Sequence, residues 1–473
     1  MEIDEAAIRN IVSGIVEDYT KDAQNGMYST RSFPGVFKDI NTAILEAHKA
    51  CKVYMETSLE TRRAVIRAVR QMVEDSAEQL ARGAAKETGM GRAEDKVRKN
   101  LLAARMTPGV EDVQPACFTD DHGLTLTERA PYGVIGAIAP STNPTETIIN
   151  NSISMLSAGN TVVFNPHPGA REVSVLTVGL INEAVLKAGG PENIVVTVDN
   201  PTIETAQALM THPLIDLLTV TGGPGVVRQA LQSTKKVIAA GPGNPPTVVD
   251  ETADIEKAAR DITAGAGFDN NIVCICEKEI IVVRSVADAL KSAMSKLGAY
   301  ELGRDEISAV TSMVIERPGR KGDEGAINKQ YVGKDAAVIA RAAGITVPDD
   351  TRLLLCEVDK SHPLVWTEQL MPVIPLVRVD NVDEAIDFAV ECEHGFRHSA
   401  SMHSLNIAKL SKMAKVINCS LFVKNGSNFN GMGFGGAGYT SFTIASPTGE
   451  GFTRARTFTR ERRCALIDYF RIV

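Results

Sequence analysis

The sequence predicts an α/β protein made of two successive α/β series, the first a parallel sheet covered on both faces by helices, and three observations carry that expectation. Short, uniformly apolar strands alternate with helical segments between residues 133 and 240. A second alternation runs from 255 to 419, and a chain of 473 residues exceeds what one core of roughly 250 to 300 residues supports. Two or three domains are expected.

Residues 1–19 come first and stand apart. Ile8, Ile11, Val12, Ile15, Val16 and Tyr19 repeat at helical spacing, with Glu5, Arg9, Asn10, Ser13 and Asp18 opposite, which describes a short amphipathic helix. Such a helix is marginal alone in water, so its apolar stripe needs a surface, on its own domain or on another protein. Residues 20–36, polar and without periodicity, read as a linker to the body. Helical stretches follow at 36–54, 58–88 and 93–106. Strands at 133–139, 161–164, 194–197, 217–220 and 237–240 then alternate with helices such as 170–188 and 203–210. Their unbroken apolar content means burial on both faces, the mark of a parallel sheet. Helical spacing at 253–266 and a strand at 279–283 open the second series.

Eight cysteines without a CxxC pair form neither a disulfide framework nor a zinc ribbon, and no metal is expected. The acidic start (Glu2, Asp4, Glu5) is unlike a secretory signal and no run of about 18 apolar residues spans a membrane, so a soluble, cytoplasmic chain is expected. A formal net charge of −8 argues against nucleic acid as a partner. The locally basic tail, with Arg454, Arg456, Arg460, Arg462 and Arg463, is read as pairing with carboxylates or gripping phosphates.

Cys274 follows a turn of Asp269, Asn270 and Asn271, where a helical segment gives way to a strand, on a connection that rigid elements position. A thiolate there would attack a carbonyl; a buried structural thiol fits the local sequence equally well. The segment Thr221, Gly222, Gly223, Pro224, Gly225 follows a strand and opens a helix, where backbone N–H groups meet a pyrophosphate or merely close a tight turn. The formal GxGxxG at Gly431, Gly433 and Gly436 has no helical pattern after it and is read as a decoy.

Together these motifs resemble the aldehyde dehydrogenase superfamily, and more narrowly its CoA-acylating branch found with bacterial microcompartments, over nearly the whole chain from about residue 37 to 473. The run 128–144 is similar to the segment leading to the family's oxyanion asparagine, here Asn143, and 220–223 is similar to its cofactor-side turn. The run at Cys274 resembles the nucleophile segment. Residues 368–372 resemble a motif whose glutamate, here Glu368, holds the nicotinamide ribose. The resemblance implies an aldehyde dehydrogenase-like fold: a Rossmann-type cofactor-binding domain at 37–240 with an oligomerisation hairpin at about 122–133, an α/β catalytic domain at 241–434, and a carboxy-terminal oligomerisation segment at 435–473. It implies NAD and coenzyme A, with Asn165, His167, Thr221, Gly222, Gly223 and Glu368 as cofactor-binding residues.

Two departures bear on the product. Where hydrolytic members have a water-activating glutamate, this sequence has Ala239, and no acidic residue lies between Val237 and Thr247. Where they have a lysine on the adenosine ribose, the strand end here is Asn165, Pro166, His167, as in the CoA-acylating branch. The implied reaction is oxidation of a short-chain aldehyde, propionaldehyde or acetaldehyde, to its acyl-CoA. In it Cys274 attacks the aldehyde, Asn143 and the Cys274 backbone N–H stabilise the oxyanion, hydride goes to NAD⁺, and CoA takes the acyl group in ping-pong order. Cys276 lies close to the site or beneath it, and His394 and His398 are read as structural or substrate-lining. The alternatives are a cysteine acyltransferase without redox chemistry, a hydrolytic enzyme making carboxylate, and a scaffold without activity. The resemblance further implies a homodimer or homotetramer, and residues 1–19 resemble the helices that bind microcompartment shell proteins.

Overall fold

The structure is a computed structural model that describes residues 33–473. The expected helix at 1–19 lies outside the described residues, as does nearly all of the linker.

Six parallel strands form the first large sheet, in the order Val36–Phe37, Val195–Val198, Thr161–Pro166, Val134–Ala139, Leu217–Thr221 and Lys236–Ala240. Its four inner strands are buried at every position but Thr221, which is why their sequences lack polar alternation. Ile44 and Ala47 of helix Ile40–Met55 pack with Val163, Val196 and Leu218 on one face. From Val134–Ala139 the chain builds outward in both directions. That reversal opens a crevice at the carboxyl ends of the strands, the place where open α/β sheets bind ligands.

Seven parallel strands form the second sheet, in the order Ala299–Glu301, Leu353–Glu357, Val373–Val379, Glu279–Val283, Pro246–Val249, Ser399–His403 and Leu421–Lys424. Helices Ile255–Ala266 and Arg284–Ser295 cover one face, and Val382–Cys392 and Ile407–Val416 the other. The α/β class expected from the sequence holds. A third, antiparallel sheet joins Ala116–Asp120, Gly123–Pro131 and Thr459–Ile467. Its last strand exposes every residue after Thr459, and the chain ends with Tyr469, Phe470, Ile472 and Val473 exposed. Among the described residues no helix is long and apolar enough to cross a membrane.

Three expected boundaries move. The helix placed at 36–54 begins only at Ile40, because Val36 and Phe37 pair with Thr197 and Val198 as an edge strand and the Asp39 carboxylate caps the helix through Thr42 N at 2.7 Å. Likewise the helix placed at 253–266 begins at Ile255, capped by Asp254. The hairpin placed at about 122–133 starts earlier, at Ala116, with Asp121 and His122 at its turn. Capping and edge pairing are invisible to a count of apolar periodicity, so ends shift while elements persist.

Candidate active site

The carboxyl edge of the first sheet carries one set of expected residues. Beyond Val134–Ala139, Asn143 stands at the start of helix Pro144–Ser157, which is buried along its whole length. An asparagine at that position ordinarily caps the helix. Here its side chain makes no capping bond: Nδ2 donates to Thr142 Oγ1 at 3.2 Å, and Oδ1 accepts from Lys99 Nζ at 2.6 Å. The amide is committed elsewhere than to the helix.

Asn165 is the last residue but one of the next strand over, with Oδ1 accepting from Thr205 Oγ1 at 2.6 Å, and so ties that strand to helix Ile203–Thr211. His167 accepts from Gly169 N at 3.0 Å, and burial, with nearby Lys329, lowers its pKa. Thr221 closes strand Leu217–Thr221 with its hydroxyl 2.7 Å from Thr443 Oγ1. Gly222 and Gly223 then lead into helix Pro224–Leu231, and a side chain added at Gly223 would meet nothing within 4 Å. Open space therefore lies before that helix. A separate cleft of about 520 Å³ lies between helix Ile203–Thr211 and the carboxyl end of helix Pro224–Leu231, lined by Glu204, Ala208, Thr211, Gln229 and Gln232. By contrast, Gly431 and Gly436 of the formal GxGxxG are packed within 2.3 Å of Leu421 and 2.2 Å of the Asn430 carbonyl for any added side chain, leaving no room for a phosphate.

The amino edge of the second sheet supplies the other set. Gly243, Cys274 and His398 each precede a strand there. The approach to Cys274 runs through Asp269, Asn270 and Asn271, three consecutive residues with φ of 47°, 53° and 63°. Left-handed backbone at non-glycine residues costs on the order of 1 kcal/mol or more each and persists only where surroundings over-determine it. They do so here. The Asp269 carboxylate accepts from Arg92 N at 2.7 Å and pairs with Lys96 and Lys99. Asn270 donates to Gly333 O at 2.9 Å and accepts from Arg92 Nε at 3.0 Å, and Asn271 donates to Ala266 O and Glu277 O at 2.8 and 3.0 Å.

Beyond this turn Cys274 is partly exposed, whereas Cys276 is buried with Sγ near Phe268 O. Two residues apart on the loop, the thiols are thus distinguished by access. Burial pushes the Cys274 thiol up to about 12; the Glu368 carboxylate adds to the rise and the Lys278 ammonium opposes it. The Lys278 side chain is fully buried and donates to Asn271 O at 2.8 Å, clasping the loop that carries Cys274. Burial likewise raises Glu368 to about 7, against Lys278 and the Gly243 N–H, both of which favour its charged form. His398 is buried, with Nδ1 2.9 Å from Ser399 Oγ, and burial lowers it to about 4, so it is neutral near pH 7. His394 contacts Trp366 O through Nε2 at 3.1 Å.

Because a thiolate is the reactive form and burial opposes it, alkylation of Cys274 in the free protein should be slow at neutral pH. It should climb about tenfold per pH unit while the pH stays below the raised pKa. Iodoacetamide labelling followed on the Cys274 peptide measures this. A rate that levels off near the ordinary thiol value of about 8.5 would contradict it.

Ala239 is fully buried at the end of the first sheet, its N–H donating to Thr448 Oγ1 at 3.1 Å. The segment beyond it presses on the nucleophile loop: a side chain at Gly243 would lie 2.9 Å from Cys274 O and 2.9 Å from His398 Cγ. The segment itself carries no carboxylate, and the one that meets it is Glu368, which accepts from the Gly243 N–H and raises the Cys274 thiol.

Sequence reasoning missed Lys96, Lys99, Lys278 and Gly243. Lys96 and Lys99 lie three residues apart on helix Ala93–Met106, both buried along with Asp95 and Asn100. In a linear sequence lysines on a helix read as a solvated face, and their partner Asp269 is some 170 residues away.

Residues 34–453 match the aldehyde dehydrogenase family. The chain is 50% identical over 440 residues to an acetylating acetaldehyde dehydrogenase, EutE, of Salmonella typhimurium, covering 93% of this chain and 94% of that one. It is 48% identical over 469 residues to a CoA-propanoylating propanal dehydrogenase of the same organism, covering 99% and 98%. Among solved structures, a propionaldehyde dehydrogenase from the fucose utilisation microcompartment of Clostridium phytofermentans is similar at a TM-score of 0.90 and 47% identity, over 93% of this chain and 100% of that one. A propionaldehyde dehydrogenase of Rhodopseudomonas palustris, with bound CoA and an acylated cysteine, is similar at 0.89 and 48%, over 92% and 98%. Shared sequence over nearly the whole length and shared architecture give one conclusion: the chain belongs to the aldehyde dehydrogenase family.

Proposed function

We propose that this protein oxidises a short-chain aldehyde, propionaldehyde or acetaldehyde, with NAD⁺ and passes the acyl group to coenzyme A through a thioester on Cys274. The observation that carries the reading is a partly exposed cysteine on an over-determined loop, whose backbone packs against Gly243 of a segment, 239–243, that has no acidic side chain. Relatives whose names state acetylation and CoA-propanoylation support it.

Cys274 adds to the aldehyde carbon, and the negative charge that develops on oxygen falls to the Asn143 amide and the Cys274 backbone N–H. In comparable sites each such donor is worth about 10²–10³ in rate. The open space at Gly223, before a helix amino terminus, leaves room for a pyrophosphate, which Thr221, Gly222 and Gly223 would hold, with Asn165 and His167 toward the adenosine ribose and Glu368 at the nicotinamide ribose. NAD⁺ bound there supplies the hydride acceptor. The thioester left on Cys274 is then open to the CoA sulfur, a better nucleophile than water that needs less help from a base. A rate series over aldehydes of increasing length, with and without CoA, tests this. Rates that favour long aldehydes, or NADH formation that ignores CoA, would overturn it.

Residues 37–240 are taken as the cofactor-binding domain, 241–434 as the catalytic domain and 435–473 as the oligomerisation segment. The exposed apolar residues that end the chain beside the three-stranded sheet favour a homodimer or homotetramer. Sedimentation at micromolar concentration should then show no monomer peak. Residues 1–19 are taken as a helix that docks by its apolar stripe on a microcompartment shell protein, confining a volatile aldehyde near its source. Deleting them should leave kcat unchanged and abolish co-purification with shells; a truncated enzyme that loses activity would place the segment in the catalytic core.

A further inference from the structure

We propose that Lys99 is a positioning residue for the oxyanion donor: it holds Asn143 by the amide oxygen, aims the amide nitrogen at the substrate, and fixes both against the loop that carries Cys274. The inference rests on Asn143 being that donor. An asparagine side chain has an accepting end and a donating end of nearly the same shape, and its partners decide which end faces a ligand. An ammonium can only donate. With Lys99 Nζ 2.6 Å from Oδ1, the reverse orientation would set two sets of N–H protons against each other, so Nδ2 is committed to the other side. There one of its protons goes to Thr142 Oγ1 at 3.2 Å and the second is left for a ligand. A bond to a charged donor also polarises the amide, which strengthens what Nδ2 gives to a developing oxyanion.

The same Nζ lies 2.5 Å from Asp269 Oδ2 and 3.1 Å from Glu146 Oε1. Asp269 begins the left-handed turn that delivers Cys274, so one buried cation ties the donor to the approach of the nucleophile. Its two carboxylates keep Lys99 protonated despite burial. Lys96 already pairs with Asp269 at 3.2 Å, so fastening helix Ala93–Met106 to the turn does not by itself require Lys99 to reach Asn143.

The test is a double-mutant cycle on kcat/KM for aldehyde, with Lys99→Met and Asn143→Ala made singly and together. If Lys99 acts through Asn143, Lys99→Met should lower the rate about tenfold or more in the native background and change it less than about twofold where Asn143 is already alanine. Equal losses in both backgrounds would mean a merely structural role and overturn the proposal. An Asn143→Ala enzyme with full activity would instead remove the oxyanion reading itself, a separate failure. Should Lys99→Met fail to fold, as judged by circular dichroism, the charge-balanced pair Lys99→Met with Glu146→Gln enters the cycle in its place, with Glu146→Gln as its reference.

Discussion

Replacing Cys274 with alanine should abolish aldehyde-dependent NADH formation, by about 10³-fold or more, while Cys276→Ala keeps most of it. The two thiols differ in ways that decide this. Cys274 is partly exposed, at the end of a turn whose every side chain is fastened. Cys276 is buried, its N–H donates to Val273 O at 3.0 Å, and burial raises its thiol well above the ordinary value. It behaves as a small apolar side chain, and its loss leaves a cavity of one sulfur, a stability cost of about 1 kcal/mol. NADH absorbance in the presence of aldehyde, NAD⁺ and CoA measures both variants. If Cys276→Ala is the inactive one, access does not choose the nucleophile and the assignment is wrong.

Without CoA, turnover should stop after one acylation, giving a burst of NADH close to one per active site. A positioned general base contributes about 10²–10⁴ in rate, and hydrolysis of the thioester lacks that contribution here because position 239 is an alanine. Glu368 is the carboxylate, among the described residues, whose charge raises Cys274. Burial raises it to about 7, so it becomes more fully ionised, and more able to accept a proton from water, as the pH rises through neutrality. Any slow hydrolysis should therefore grow above pH 7 and vanish in Glu368→Gln. Carboxylate made without CoA at the CoA-dependent rate would sink the acyl-transfer reading. Ala239→Glu should raise hydrolysis only slightly, since the new carboxylate must also point at a water held against the thioester, and Ala239 is fully buried.

Much of this molecule was legible in one dimension. The inner strands of the first sheet were found within a residue or two of their ends because burial on both faces leaves an unbroken apolar run. Helix Ala93–Met106 and strand Glu279–Val283 fall where spacing put them. Candidate residues Cys274 and Thr221 to Gly223 were findable because each lies beside an element end that a local pattern marks, whereas Asn143 was found only through the resemblance of the run that carries it. What failed was local as well: the two-residue edge strand Val36–Phe37 is too short to show a period, and it read as the start of the helix after it.

The sequence by itself determined the α/β class, the order of the elements, the family and the absence of a glutamate at position 239, because these depend on residue identity and on neighbours a few positions away. Only the tertiary structure decided which cysteine a ligand can reach, that Asn143 does not cap its helix, and that three lysines are buried beside the loop. The physical reason is distance along the chain. Burying an ammonium costs several kcal/mol unless partners compensate, and the partners of Lys99 come from Asn143, Glu146 and Asp269, on segments that folding alone brings within 3.1 Å of one nitrogen. Apolar periodicity records which face of a helix is inward. It does not record which charge waits there.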